Sequence, residues 1–263
     1  MRNNYSLYFL DIDGTLVQGR NLLPMAKTLI HHLHQEGKQF FYVTNHPVRS
    51  HEEHVEFLTK LGLPIKQEEL ITPLDALKRF FSKVDEPFSI YVAGSTMIKR
   101  KLRNWKLPVI ERSYEQYGKC FVVLGMAFNL NYAILQEAYQ CIQKGATLLV
   151  LNPDTACPST DYRLLDTGSF LKLFEASGDL RKEPIIIGKP SIWMQEVLAE
   201  KIHVPRNEVV IIGDSTLSDI AIGNSLGIDS ILLSHTTDGQ LSDKSWTPTY
   251  NITSIKELVE SWR

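Results

Sequence analysis

Short apolar runs alternate with helical periods along almost the whole chain. Tyr5–Leu10 reads as a buried strand. Leu22 and Leu23 before Pro24 read as a hydrophobic staple. The predicted helix after Pro24 keeps its apolar positions Ala26, Leu29, Ile30 and Leu33 on the 3.6-residue period, and Gly37 ends it. Phe40–Thr44 is a predicted strand, and Pro47 is predicted to open a helix running towards Gly62. Further on, Ile185–Ile187, Val209–Ile212 and Ile228–Leu233 read as strands of the same series. Helices are predicted from Ser191 to about His203 and from about Ser218. Ser254-Ile255-Lys256-Glu257 spells a capping box ahead of a last helix. This β-α alternation predicts an α/β fold with a mainly parallel sheet covered on both faces.

A second α/β series interrupts the first. Its predicted strands are Phe88–Val92, Phe121–Leu124 and Thr147–Leu151, with helices after Thr72, Ser95, Asn131 and Thr167. At roughly 110 residues the insert has the size of a domain, as do the flanking halves taken together. The organisation expected is a discontinuous core of residues 1–71 and 184–263 with a second domain, 72–183, inserted into it.

Composition narrows the class. The 263 residues are 43% hydrophobic and 22% charged, ordinary for a globular chain and too apolar for a disordered one. Lys plus Arg number 28 against 30 Asp plus Glu, so no basic excess exists to drive nucleic-acid binding. Cys120, Cys141 and Cys157 are sparse and form no CxxC pair, which reads as reduced thiols in a cytoplasmic protein. No apolar run approaches the ~18 residues of a membrane helix, and the one at the N-terminus is too short for a signal segment.

Polar signals follow four of the predicted core strands. Leu10 leads into Asp11-Ile12-Asp13-Gly14-Thr15, and Val43 into Thr44-Asn45. Ile187 leads into Gly188-Lys189-Pro190-Ser191, and Ile212 into Gly213-Asp214-Ser215-Thr216-Leu217-Ser218-Asp219. The carboxyl ends of parallel strands share one edge, where ligands bind, so four distant loops converge on one site. Asp11 and Asp13 are two apart and lean the same way on an extended chain. One carboxylate can attack phosphorus while the other protonates the leaving alcohol and later activates water. Asp214 and Asp219 add anionic oxygens which, with Asp11, suit Mg²⁺. Lys189 can neutralise phosphate oxygens, Thr44 offers a hydroxyl, and backbone N–H groups near the helix start expected at Pro47 can cradle an anion. This inventory fits phosphoryl transfer, which needs mostly positioning and charge neutralisation.

These motifs, in this order, resemble those of the haloacid dehalogenase superfamily, whose core is a Rossmann-like parallel sheet. The resemblance implies Asp11 as nucleophile and Asp13 as acid/base, with the Asp13 backbone carbonyl a Mg²⁺ ligand. It also implies Asp214 as a Mg²⁺ ligand, Asp219 as support for the ion or its waters, and Thr44, Asn45 and Lys189 as holders of the phosphate. The insert's position between the second and third motifs, its Asn152-Pro153-Asp154 and the Gly188-Lys189-Pro190-Ser191 run are similar to NagD-type phosphatases with a type IIA α/β cap. Three departures stand out: His46 where many relatives have Asn or Tyr, Ser218 where Thr is usual, and Cys157–Asp166, which matches no subfamily pattern.

Other motifs yield to bland readings. The Gly a P-loop needs five residues before Gly188 is Glu183, and Asp11-Ile12-Asp13-Gly14 lacks EF-hand spacing. Asp166-Thr167-Gly168-Ser169 spells the aspartic-protease signature but occurs once, before a helical pattern, so Asp166 reads as a helix cap or cap-domain loop residue. His31, His32, His34, His51 and His54 read as a solvated helix surface. His46, at the site edge, is a candidate contact for substrate or phosphate. In the insert Asp161, Tyr162 and Arg163 are the candidates for reading the leaving group.

The resulting expectation is a Mg²⁺-dependent phosphatase of small phosphorylated metabolites, such as sugar phosphates, nucleoside monophosphates and p-nitrophenyl phosphate, working through an aspartyl-phosphate. Neither nucleic acid nor membrane is expected as a partner, and the resemblance admits a homodimer through the cap. A non-catalytic phosphate-ligand binder or regulatory protein, and a phosphotransferase to an acceptor other than water, stay open as alternatives.

Overall fold

The structure is a computed structural model and describes residues 5–159, 162–234 and 245–260. Two parallel sheets organise it. The first has six strands in the order Tyr250–Ile252, Asp229–Leu233, Val209–Gly213, Leu7–Asp11, Gln39–Val43 and Leu70–Ile71, every neighbouring pair parallel. Side chains along its central strands alternate between two cores. Tyr8, Leu10, Phe40, Tyr42, Val210 and Ile212 enter one apolar cluster with the helix Ala26–Gln35, which contributes the predicted Ala26, Leu29, Ile30 and Leu33. Leu7, Phe9, Phe41, Val43, Val209 and Ile211 enter a second cluster on the opposite face, with Met194 and Leu198 of the helix Ile192–Ala199. Burial on both faces explains why Leu7–Asp11 reads as an unbroken apolar run ending in an acid.

The second sheet has five strands in the order Ile185–Ile186, Thr147–Val150, Lys119–Leu124, Phe88–Ala93 and Val109–Ile110, again all parallel. One face packs on the helices Tyr132–Gln143 and Thr167–Ala176, and this core holds Cys120 and Cys141. The other face contributes Ile90, Val92, Phe121 and Val123 to the same cluster as Phe9 and Ile211 of the first sheet. The Phe80 ring, on the helix Pro73–Phe81, lies 4.9 Å from Trp193 and 5.3 Å from Phe121, joining the connecting helix to both units. Arg79 and Lys83 pair with Glu196 across the same junction.

Three sequence expectations need correction here. Ile185–Ile187 is expected to end a core strand, yet Ile185–Ile186 pairs with Leu149–Val150 of the second sheet. Nothing in three isoleucines specifies which sheet edge they extend. The helix expected from Pro47 begins instead at His51, because Ser50 caps it: Ser50 Oγ accepts from Glu53 N–H and Glu53 reaches back to the Ser50 N–H. That Ser-x-x-Glu signal is present in the sequence. His51 and His54 are consequently buried, not solvated. No helix among the described residues is long and apolar enough to cross a membrane.

Candidate active site

Three acidic side chains meet at the carboxyl edge of the first sheet. Asp11 ends the strand Leu7–Asp11, Asp214 follows the adjacent strand Val209–Gly213, and Asp219 sits in the π-helical turn Thr216–Ile220. Each offers an oxygen within 4.8 Å of the other two. Two glycines allow this crowding. A Cβ on Gly14 would stand 2.0 Å from Asp214 Oδ2, and one on Gly213 2.1 Å from the Asp219 carboxyl carbon. Gly14 also holds φ at +91°, where a side chain would add strain.

Lys189 enters from the second sheet's side and is 1% exposed. Its ammonium donates to Asp11 Oδ1 and Asp219 Oδ1, both at 2.7 Å, and to the Val43 carbonyl at 3.1 Å. All three protons are thus used, as a buried amine requires. Thr15 Oγ1 donates to Asp11 Oδ2 at 2.8 Å, so both oxygens of Asp11 are held. Asp219 Oδ2 accepts the Ser215 N–H. The Asp13 carboxylate does not join the cluster; Thr44 donates to it at 3.3 Å, and Thr44 Oγ1 in turn accepts from His46 N–H.

Burial and neighbouring charge together set the pKa directions of the group. Burial pushes the Asp11 carboxyl well above its ordinary range against the pull of Lys189, and Asp219 and Asp214 add to the rise. Asp214 is pushed up to about 7, by burial first and then by Asp219. Burial opposes the charge on Lys189, but the Asp11 and Asp219 carboxylates outweigh it and hold the amine above its ordinary value. Three carboxylates against one ammonium leave an anionic excess in a dry setting. A hard divalent cation with oxygen ligands fits that donor set and would relieve the excess.

The sequence candidates fare differently. Asp11, Lys189, Asp214 and Asp219 are brought together, with Asp13 and Thr44 alongside. The Asn45 side chain, expected on phosphate, is spent inside the protein: its Oδ1 accepts from Lys189 N–H, and its Nδ2 donates to the Lys189 carbonyl and to Asp154 Oδ2. His46 is half-buried, its Nδ1 accepting from Val48 N–H at 3.4 Å. Burial lowers its pKa, and its ring meets that of His54 edge to face. Within the segment expected as a loop, Cys157–Pro158 and Arg163–Leu165 belong to an antiparallel ribbon that pairs Ala156–Pro158 with Arg163–Leu165. Tyr162 and Arg163 are exposed there, and Asp161 lies outside the described residues. Asp166 is a helix cap: its Oδ1 accepts from Thr167 N–H at 2.5 Å.

Three contributors escaped sequence reasoning. Thr15 orients the first aspartate. Asp154 supports Asn45, and burial pushes its pKa up to about 6. Cys157, on the ribbon, is raised to about 12 by burial and then by the charges of Asp166, Asp13 and Asp154, which makes its thiol a poor nucleophile. Thr15 closes the Asp11-Ile12-Asp13-Gly14-Thr15 motif and Asp154 the Asn152-Pro153-Asp154 run, so the sequence marks both segments without assigning these two residues a role.

Comparison with known proteins converges on one group. A family model for haloacid dehalogenase-like hydrolases matches residues 8–107, and a second, HAD-hydrolase-like model matches residues 186–258. The chain is 26% identical to an acid sugar phosphatase of Staphylococcus haemolyticus, over 97% of this chain and 96% of that one. Among solved structures it is similar to a 4-nitrophenylphosphatase from Thermotoga maritima, with 27% identity, 98% coverage of both chains and a TM-score of 0.84. A structure described as a putative NagD protein matches at 26% identity and a TM-score of 0.83, covering 98% of this chain and all of that one.

Proposed function

The chain belongs to the haloacid dehalogenase-like hydrolases, as a NagD-like phosphomonoester hydrolase, and from that premise we propose a Mg²⁺-dependent phosphatase of small phosphomonoesters that works through an aspartyl-phosphate on Asp11. The meeting of Asp11, Asp214 and Asp219 around the buried ammonium of Lys189 carries the reading.

Both oxygens of Asp11 are anchored, by Lys189 and Thr15, at the end of its strand, which fixes its direction of attack. In the first step an Asp11 oxygen bonds to phosphorus and the bond to the leaving oxygen breaks, its proton supplied by Asp13. In the second, Asp13 takes a proton from water, water attacks phosphorus, and the Asp11 carboxylate and inorganic phosphate are released. Asp13 suits this exchange because its carboxylate stands apart from the Lys189 cluster and accepts from the neutral hydroxyl of Thr44. Lys189 neutralises developing charge on the phosphoryl oxygens. Mg²⁺, held by Asp11, Asp214 and the Asp13 carbonyl with Asp219 behind, would offset the anionic excess and bind phosphate oxygen.

Sugar phosphates and aryl phosphates are the substrates to try first, given the names of the relatives. His46, Tyr162 and Arg163 are the side chains proposed to face the leaving group. Three free thiols support a reducing, cytoplasmic setting. The test is p-nitrophenyl phosphate hydrolysis with Mg²⁺ and with EDTA, alongside trapping of phosphoenzyme. Metal-dependent phenolate release with an acid-stable, hydroxylamine-labile phosphoenzyme supports the reading. Phosphate binding without turnover would identify a binder, and phosphorylated acceptor in place of inorganic phosphate a transferase.

A further inference from the structure

The third motif is held by residues that lie far from it in the chain. Asn45 pairs with the backbone of Lys189 as a strand neighbour would: Lys189 N–H to Asn45 Oδ1 is 2.8 Å, and Asn45 Nδ2 to the Lys189 carbonyl is 3.1 Å. One Nδ2 proton remains, and it goes to Asp154 Oδ2 at 3.0 Å. The neighbouring Asn152, fully buried, donates to the Asn45 carbonyl at 2.8 Å. Gly188 leaves room for this: a Cβ there would stand 2.5 Å from both Asn45 Oδ1 and the Leu151 carbonyl. Asn152 and Asp154 follow the strand Thr147–Val150 of the second sheet, whereas Asn45 follows Gln39–Val43 of the first.

We propose that Asp154 is a positioning residue for the phosphoryl site, acting through Asn45 to fix the backbone of Lys189 and hence the approach of its ammonium to Asp11. Asn45 has two donors and needs two acceptors to hold one orientation. Lys189 supplies one acceptor and Asp154 the other. With Asp154 removed, the amide loses one of its three hydrogen bonds and the only one that does not go to Lys189, and the lysine backbone gains freedom at the point where charge neutralisation needs it fixed. A displacement of ~1 Å at such a point costs on the order of 100-fold in rate. Asp154, after a strand of the second sheet, thereby steadies Asn45, after a strand of the first, without touching the reacting atoms.

The inference rests on the phosphatase reading, so the test reads turnover and ligand binding separately. In the full chain, Asp154→Ala should lower kcat for p-nitrophenyl phosphate by about 10- to 100-fold while KM stays within about threefold. It should also weaken inorganic phosphate, measured by titration calorimetry with Mg²⁺ present, by about tenfold. Asp154→Asn keeps an acceptor oxygen for Asn45 and should restore kcat and phosphate affinity to within about threefold of wild type. A purely structural role would lower the melting temperature of both variants and move neither ratio. Unchanged kcat and phosphate affinity in Asp154→Ala, or an Asp154→Asn variant as impaired as Asp154→Ala, overturns the proposal. A wild-type chain that binds phosphate without turnover overturns the phosphatase reading, and the affinity ratio then decides the role of Asp154 alone. A chain that does neither overturns both.

Discussion

Lys189 Nζ stands 2.7 Å from Asp11 Oδ1, and the two residues are 1% and 5% exposed. A buried pair of this kind is costly to break from one side, by about 3–5 kcal/mol, because the survivor is left unpaired in a dry setting. Lys189→Met should therefore lower both stability and turnover, with kcat down by at least about 100-fold. Mg²⁺ should raise the melting temperature of Lys189→Met more than that of wild type, since the cation replaces part of the lost charge. Equal shifts on adding Mg²⁺ would argue against a cation site among these carboxylates.

Asp11→Asn preserves the shape of the side chain and an acceptor for Lys189 but removes the nucleophile. Release of p-nitrophenol should fall to background, with far-ultraviolet circular dichroism unchanged. Appreciable turnover by that variant, contamination excluded, would remove Asp11 from the nucleophile role.

Gly14→Ala tests the cation site by crowding. The added Cβ would lie 2.0 Å from Asp214 Oδ2 on a backbone at φ +91°, so the loop or Asp214 must move. The Mg²⁺ concentration for half-maximal activity should rise about 10- to 100-fold, and direct Mg²⁺ titration should weaken in parallel. An unaltered Mg²⁺ dependence would place the cation elsewhere.

His54 sets a pH dependence of stability. Burial, then the charges of His46 and Arg49, lower its pKa to about 3, and its Nδ1–H donates to the Ser50 carbonyl. In the unfolded chain it titrates near ~6.5. Between these values the unfolded chain binds more protons, so this contribution to stability is full at neutral pH and is lost as pH falls from about 6.5 towards 3, by up to about 1.4 kcal/mol per pH unit. His54→Gln should flatten the fall in melting temperature between pH 7 and pH 4.5. Parallel curves for the two proteins would show that another group governs acid lability.

Phe80 tests whether the two units share one core. Its ring touches both Trp193 and Phe121, and it belongs to a cluster that reaches from Phe9 to Val123. Phe80→Ala should cost about 3–5 kcal/mol and leave a single transition at lower temperature in calorimetry. Two separated transitions would mean that the units melt independently.

By itself the sequence determined the alternation of strands and helices, the buried stripe of Ala26, Leu29, Ile30 and Leu33, and the identity of Asp11, Lys189, Asp214 and Asp219 as one chemical set. These are local properties: periodicity, capping and residue type following an apolar run all lie within a few neighbours. Tertiary structure decided what depended on partners far along the chain. Ile185–Ile186 could extend either sheet by composition, and packing against Leu149–Val150 settled it. Asn45 carries the same amide whether it faces phosphate or Lys189, and the approach of Gly188 turned it inward. His51 and His54 have a polar pattern that suits solvent, yet the capped helix lays them against the interior, where the Asp75 carboxylate and the Ser50 carbonyl give their rings hydrogen-bond partners.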